Sequence, residues 1–178
     1  MEASPAPKRR WAWLLAGVVV VVAIAAAAWL LLKDDGSKKG EPQAATIGEL
    51  VAKQASASHP VYWVGPRSGV TYELTDTTSG RIFVRYLPAG VSIGDPRPRF
   101  LTVGTYPVRS AYQTLVKLSK RKGTVSTKVG GGIAVQDLKS PTSVYVAYPG
   151  LDLQVEVYDR SANAARKLAF SGKVQPIR

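Results

Sequence analysis

An α+β fold is predicted: a mainly antiparallel β-sheet domain with two or three short helices, preceded by one transmembrane helix. Three observations carry that prediction. Eight short runs rich in β-branched and aromatic residues are punctuated by Gly, Pro, Asp or Ser. The helical segments between them are few and follow no regular βαβ alternation, which favours an antiparallel over a parallel sheet. Ahead of all of these lies an uninterrupted apolar stretch from Trp11 to Leu32.

Those 22 residues carry no charge, and a helix through them would be about 33 Å long, enough for a hydrocarbon core of about 30 Å. Trp11, Trp13 and Trp29 stand near its two ends, where amphipathic rings settle at the headgroups. Lys8-Arg9-Arg10 and Ala25-Ala26-Ala27 also fit a cleaved signal peptide. A retained anchor fits better, because the apolar run is longer than a signal core and cleavage would leave Trp29-Leu30-Leu31-Leu32 exposed. Lys8, Arg9 and Arg10 against Lys33, Lys38 and Lys39 nearly balance the positive-inside vote. The compact basic group before the span and the ten residues that contain it place residues 1–10 in the cytoplasm as a stub. The bulk of the chain is then expected outside the membrane.

Residues 33–45 hold no large apolar side chain and read as a flexible linker, so the domain is expected to span 46–178. Thr46-Ile47-Gly48-Glu49 matches a capping box and opens a helix to about Ala55, which must end before His59-Pro60. Strands are predicted at Val61–Val64, Val70–Thr75, Arg81–Leu87 and Arg99–Gly104. A second group follows at Thr124–Val129, Ile133–Leu138, Ser143–Tyr148 and Leu153–Tyr158. Asp76-Thr77-Thr78-Ser79-Gly80, Gly130-Gly131-Gly132 and Pro149-Gly150 supply hairpin turns. Between the groups, Ser110 to Arg121 places Ala111, Tyr112, Leu115, Val116 and Leu118 on one side of a helix, stopped by Gly123. A last helix has Ser161 as its N-cap, runs from Ala162 to Ser171 and ends at Gly172.

Composition closes off much chemistry. The absence of cysteine excludes disulfides, thiolate zinc sites and cysteine nucleophiles, and a single histidine leaves little for metal or acid/base work. No cofactor is expected. Gly90-Val91-Ser92-Ile93-Gly94 resembles a nucleophile elbow, but Asp95-Pro96-Arg97-Pro98 blocks the helix that motif needs, and His59 precedes the serine. Ser119-Lys120-Arg121-Lys122 matches Ser-x-x-Lys without its companion motifs, so it reads as a solvated helix end. His59 reads as an exposed loop residue. A carboxylate-dependent hydrolase is the remaining enzymatic alternative, and no catalytic residue is assigned.

The charge balance is more informative. Residues 46–178 contain 18 Lys and Arg against eight Asp and Glu, which suits an anionic partner. Along Arg81-Ile82-Phe83-Val84-Arg85-Tyr86-Leu87 the two-residue period puts Arg81, Phe83, Arg85 and Leu87 on one face. With Ile82, Val84 and Tyr86 in the core, Phe83 would stand between two arginines on an open face. Lys117, Lys120 and Arg121 occupy one helix face, and Arg97 and Arg99 extend either surface. These eight residues, Phe83 included, form the candidate anionic-partner surface. Phe-Val-x-Tyr echoes the end of an RNA-recognition strand, but its Arg-Gly start is missing and no nucleic acid is expected.

The phrases Pro60-Val-Tyr-Trp-Val-Gly-Pro, Thr71-Tyr-Glu-Leu-Thr, Arg81-Ile-Phe-Val-Arg-Tyr-Leu-Pro, Leu101-Thr-Val-Gly-Thr-Tyr-Pro and Gln154-Val-Glu-Val-Tyr-Asp together resemble a group of single-span, surface-anchored proteins of actinobacterial type. The resemblance covers about residues 55–178. It implies an anchored topology and a Tyr-rich domain, and it transfers no active-site residue. The expectation is a single-pass cell-membrane protein whose domain is a non-catalytic envelope module, binding a protein or an anionic polymer or lipid outside the membrane. A structural subunit of a membrane complex is the alternative.

Overall fold

The computed structural model describes residues 40–178; the expected stub, the span Trp11–Leu32 and linker residues 33–39 lie outside the described residues. The first group of elements is β1 (Gln43–Ala45), α1 (Ile47–Ser56), β2 (Tyr62–Trp63), β3 (Val70–Asp76), β4 (Ile82–Pro88), β5 (Thr102–Pro107) and α2 (Ala111–Leu118). The second is β6 (Thr124–Val129), β7 (Gly132–Asp137), β8 (Ser143–Ala147), β9 (Leu153–Tyr158), α3 (Ala162–Phe170) and β10 (Gln175–Pro176). Eight strands form one antiparallel sheet in the order β1-β3-β4-β5-β9-β8-β7-β6, and β2 pairs with β10 in a separate ribbon.

Alternation along each strand makes two faces. One cross-strand row runs Leu74, Val84, Val103, Val157, Val144 and Gln136. This first face is the apolar one. Leu50 of α1, Ala165 and Ala169 of α3, and Tyr62, Trp63, Val174 and Ile177 of the ribbon region close over it in a single core. The row ends in a polar residue because α3 needs an anchor there. Gln136 is fully buried, donates to the Pro141 carbonyl at 2.5 Å, and accepts from Arg166 Nε of α3 at 2.5 Å.

The second face has a different row: Thr75, Phe83, Gly104, Glu156, Tyr145 and Val135. Helix α2 packs against β7, β8 and β9, burying Ala111, Leu115 and Leu118 apart from the first-face core. The long connection 89–101 between β4 and β5 folds back over the other half. Helices therefore flank the sheet on both sides, α1 and α3 on one and α2 on the other.

The structure moves several expected boundaries. Gln43–Ala45, expected in the linker, pairs with Tyr72–Leu74 at the sheet edge. Gly40 lies against β3 as well, where a Cβ would stand 1.9 Å from the Asp76 carbonyl oxygen. The pairing is made by backbone, so the absence of large side chains before Thr46 does not forbid it. β5 starts at Thr102 instead of Arg99, because the chain up to Phe100 belongs to the folded-back connection; the Leu101 carbonyl, taking the Tyr86 N–H, opens the pairing with β4. α2 stops at Leu118, its end closed by turns through Ser119–Arg121. The capping box at Thr46 and Glu49 is present on both sides, with Glu49 N to Thr46 Oγ1 at 3.2 Å and Thr46 N to Glu49 Oε2 at 2.6 Å. His59 is half-buried rather than exposed: its Nε2 lies 2.7 Å from the Gly80 carbonyl oxygen, fastening the end of the α1 connection to the β3–β4 turn.

The edge pairing has a measurable consequence. A fragment beginning at Thr46 leaves the outer side of β3 unpaired, whereas one beginning at Gly40 keeps β1. Urea denaturation should show a lower midpoint for the shorter fragment; equal midpoints would mean that β1 contributes nothing to the fold.

Candidate functional site

The eight acids of residues 46–178 are all engaged within the domain. Asp76, Glu73 and Asp95 pair with Lys53, Arg85 and Arg97. Glu49 accepts from its own N-cap, Asp137 from the N–H of Lys139, Asp152 from that of Ser110 and Asp159 from that of Ser161. Glu156 is buried beneath the second face. Among the described residues only Lys53, Arg85 and Arg97 of the basic side chains lie in ion pairs. The acids serve the fold, and the excess bases face solvent.

Three members of the expected partner surface do not sit on an open face. Ile82, Val84 and Tyr86 do turn to the core as their period requires. The opposite face of β4, however, is covered. Glu73, only 1% exposed, stands beside Arg85 across the β3–β4 pair and takes its Nη1 at 2.6 Å on one oxygen. Its other oxygen accepts the Gly94 N–H at 2.6 Å, while Arg85 Nη2 donates to the Asp95 carbonyl at 2.8 Å. This buried pair clamps the 89–101 connection onto the sheet, and the Arg85 guanidinium lies 5.4 Å from the Phe100 ring centroid. Phe83 is half-buried, edge-on to Tyr106 at 5.5 Å between centroids, so it packs under its neighbours and stands between no pair of free guanidinium groups. Arg81 is half-buried too.

The other five are exposed: Arg97, Arg99, Lys117, Lys120 and Arg121. Arg97 closes a local ring with Asp95, donating to it from side chain and backbone, and that contact holds the Asp95 carboxyl well below the usual carboxylate range. Arg99 lies over Phe100 with its guanidinium 5.7 Å from the ring centroid. Lys117 projects from α2 itself, and Lys120 and Arg121 follow in the turns that close it.

The least expected group lies beneath α2. Glu156 on β9 is 2% exposed and, among the described residues, forms no ion pair; burial pushes its carboxyl above the usual value of 4.5, against the smaller opposing pull of its hydrogen bonds. Tyr106 donates its hydroxyl to Glu156 Oε2 at 2.6 Å. It reaches across because its ring lies flat over Gly104, where a Cβ would come within 2.7 Å of the ring. Among the described residues, Glu156 Oε1 and the Tyr145 hydroxyl, neighbours in the cross-strand row, find no hydrogen-bond partner. The sequence offered one usable signal for this group: Thr102, Gly104 and Tyr106 alternate with Val103 and Thr105, but the misplaced strand boundary at Arg99–Gly104 excluded Tyr106.

The two buried carboxyls of this face do not make a glycosidase pair. Glu73 and Glu156 lie three strand spacings and two residues apart, a separation of about 16 Å, against roughly 5–9.5 Å for such enzymes. Among the described residues no group of three or more metal-ligating side chains gathers, and no helix is long and apolar enough to cross a membrane. Comparison with protein-family models, with curated proteins and with solved structures finds no match.

Two measurements check this arrangement. Arg85→Ala strands a buried carboxylate and is expected to destabilise the domain by about 3–5 kcal/mol. Phe83→Ala should lose about 2 kcal/mol, less than a fully buried phenylalanine, and Lys117→Ala no more than about 0.5 kcal/mol. Equal small losses in chemical denaturation would contradict the clamp. The second concerns pH. Native Glu156 keeps a proton that the unfolded chain releases above about pH 4.5, so its contribution to stability is complete below that pH and declines as pH rises toward the native value. Glu156→Gln should flatten the fall in urea midpoint above about pH 5 relative to the wild type; parallel profiles would refute a neutral buried carboxyl.

Proposed function

We propose that the protein is a single-pass, non-catalytic module of the cell envelope, anchored by Trp11–Leu32, whose domain binds an anionic partner outside the membrane. The observation that supports it most is the division of charge within the domain. Every acid of residues 46–178 is held in an ion pair, a backbone cap or the interior. Among the exposed charged side chains of that segment, lysines and arginines far outnumber the acids. Such a surface draws anions through a field that falls off over about 8 Å at physiological ionic strength.

The surface is assigned to the exposed bases. Arg81, Phe83 and Arg85 leave it, since Arg85 and Phe83 are used in packing and Arg81 is half-buried. Lys117, Lys120 and Arg121 remain, with Arg99 and with Arg97, which also pairs with Asp95.

Two experiments test the proposal. Protease added to wall-stripped, intact cells should digest the domain; digestion only after permeabilisation would reverse the orientation. Retention of the full chain on immobilised anionic envelope polymer should fall steeply with added salt, and neutralising Lys117, Lys120 and Arg121 together should reduce both retention and its salt dependence. Retention that ignores salt and all three substitutions would reject an electrostatic partner.

A further inference from the structure

The antiparallel registers fix which loops share an end of the sheet. Val70 pairs with Pro88, Thr102 with Tyr158, Tyr158 with Ser143 and Thr124 with Asp137. The loops beyond those residues therefore lie along one end. They hold Arg67 before β3, Arg97 and Arg99 before β5, and Arg160 after β9. Past these come Lys139 after β7, and Lys120, Arg121 and Lys122 before β6. All eight side chains are exposed.

Their order along that end follows the strand order from β3 to β6. Six strand spacings of about 4.8 Å make the row about 29 Å long. Three acids stand near it against eight bases: Asp95 pairs with Arg97, and Asp137 and Asp159 accept from the Lys139 and Ser161 N–H groups. Two arginines are held against rings, Arg67 5.7 Å from the centroid of first-face Tyr86 and Arg99 5.7 Å from that of Phe100 in the connection over the second face, so the row flanks the strand ends on both sides with less side-chain entropy to lose on binding. The chain joins the domain at the opposite end, where Gly40 lies against Asp76.

From this placement we infer that the basic row is one linear docking edge for an extended polyanion, a chain whose negative charges repeat along its length and that lies across the strand ends. The inference rests on the anionic-partner reading above and adds to it the site and the shape of the ligand. A linear array suits a polymer because each additional phosphate or carboxylate meets another base, and every counterion so displaced adds to affinity and to its salt dependence. A single small anion engages only one segment of the row.

The test uses the full chain in phosphatidylcholine nanodiscs, titrated calorimetrically with linear polyphosphate longer than the row and, separately, with tripolyphosphate. The long polymer should bind at least about tenfold more tightly. Neutralising Arg67, Arg99 and Arg160, or Lys120, Arg121 and Lys122, should each reduce the slope of log affinity against log salt by about one unit per residue in contact. The matched triple Arg109, Lys128 and Lys173, outside the row, should leave the slope unchanged. Equal binding of both probes, or equal losses in all three triples, overturns the linear edge while leaving an anionic partner in place. Slowed amide exchange of 119–123 and 138–140 on phosphatidylglycerol discs without polymer would assign the row to lipid instead. No binding to either probe, with no slowing on lipid, would overturn the broader reading as well.

Discussion

The pairing of β5 with β9 holds the domain together. β3, β4 and β5 form one meander and β6 to β9 another, and among the described residues the one ladder joining them runs from Thr102 opposite Tyr158 to Pro107 opposite Leu153. About fifty residues of chain must close before that ladder forms, so the backbone hydrogen bonds are supplemented on both faces. Val103 meets Val157 in the apolar core, and Tyr106 reaches from one meander to Glu156 of the other. Thr105 also accepts the Tyr62 N–H, tying the small ribbon to the seam.

That seam explains an unusual choice of side chain. A buried carboxyl without a cation is tolerated only if it stays neutral or finds donors; burial raises the affinity of the Glu156 carboxyl for its proton, and Tyr106 donates to it. Glu73, on the same face, is handled differently: a guanidinium and a backbone N–H take its two oxygens. Breaking such a pair costs more than forming it gains. Its value lies in specificity, since it holds a thirteen-residue connection, 89–101, against one part of the sheet. Arg97 and Arg99 are carried on that connection, so the buried pair positions part of the exposed row.

The same economy shapes the surface. The acids are used in caps, ion pairs or the interior, each for a local reason of backbone or packing. At the strand ends eight exposed bases outnumber Asp95, Asp137 and Asp159. Binding chemistry at such an edge depends on spacing along the sheet, which the backbone sets, rather than on any one side chain.

Periodicity and turn chemistry in the sequence were enough to determine the antiparallel α+β class, the three helices, the three hairpin turns and the inward set Ile82, Val84 and Tyr86, because these depend on neighbours within a few residues. The capping box was equally legible. Only the tertiary structure decided that Gln43–Ala45 is a strand, since its partner is β3 and its side chains carry no signal. It also decided that Arg85 is a clamp: the carboxyl it meets is twelve residues away, and the covering 89–101 connection has no period of its own. The row of exposed bases belongs to the same class. Its members are scattered from Arg67 to Arg160 along the chain, and they come to one end of one sheet only because β5 pairs with β9 and thereby orders seven strand ends in space.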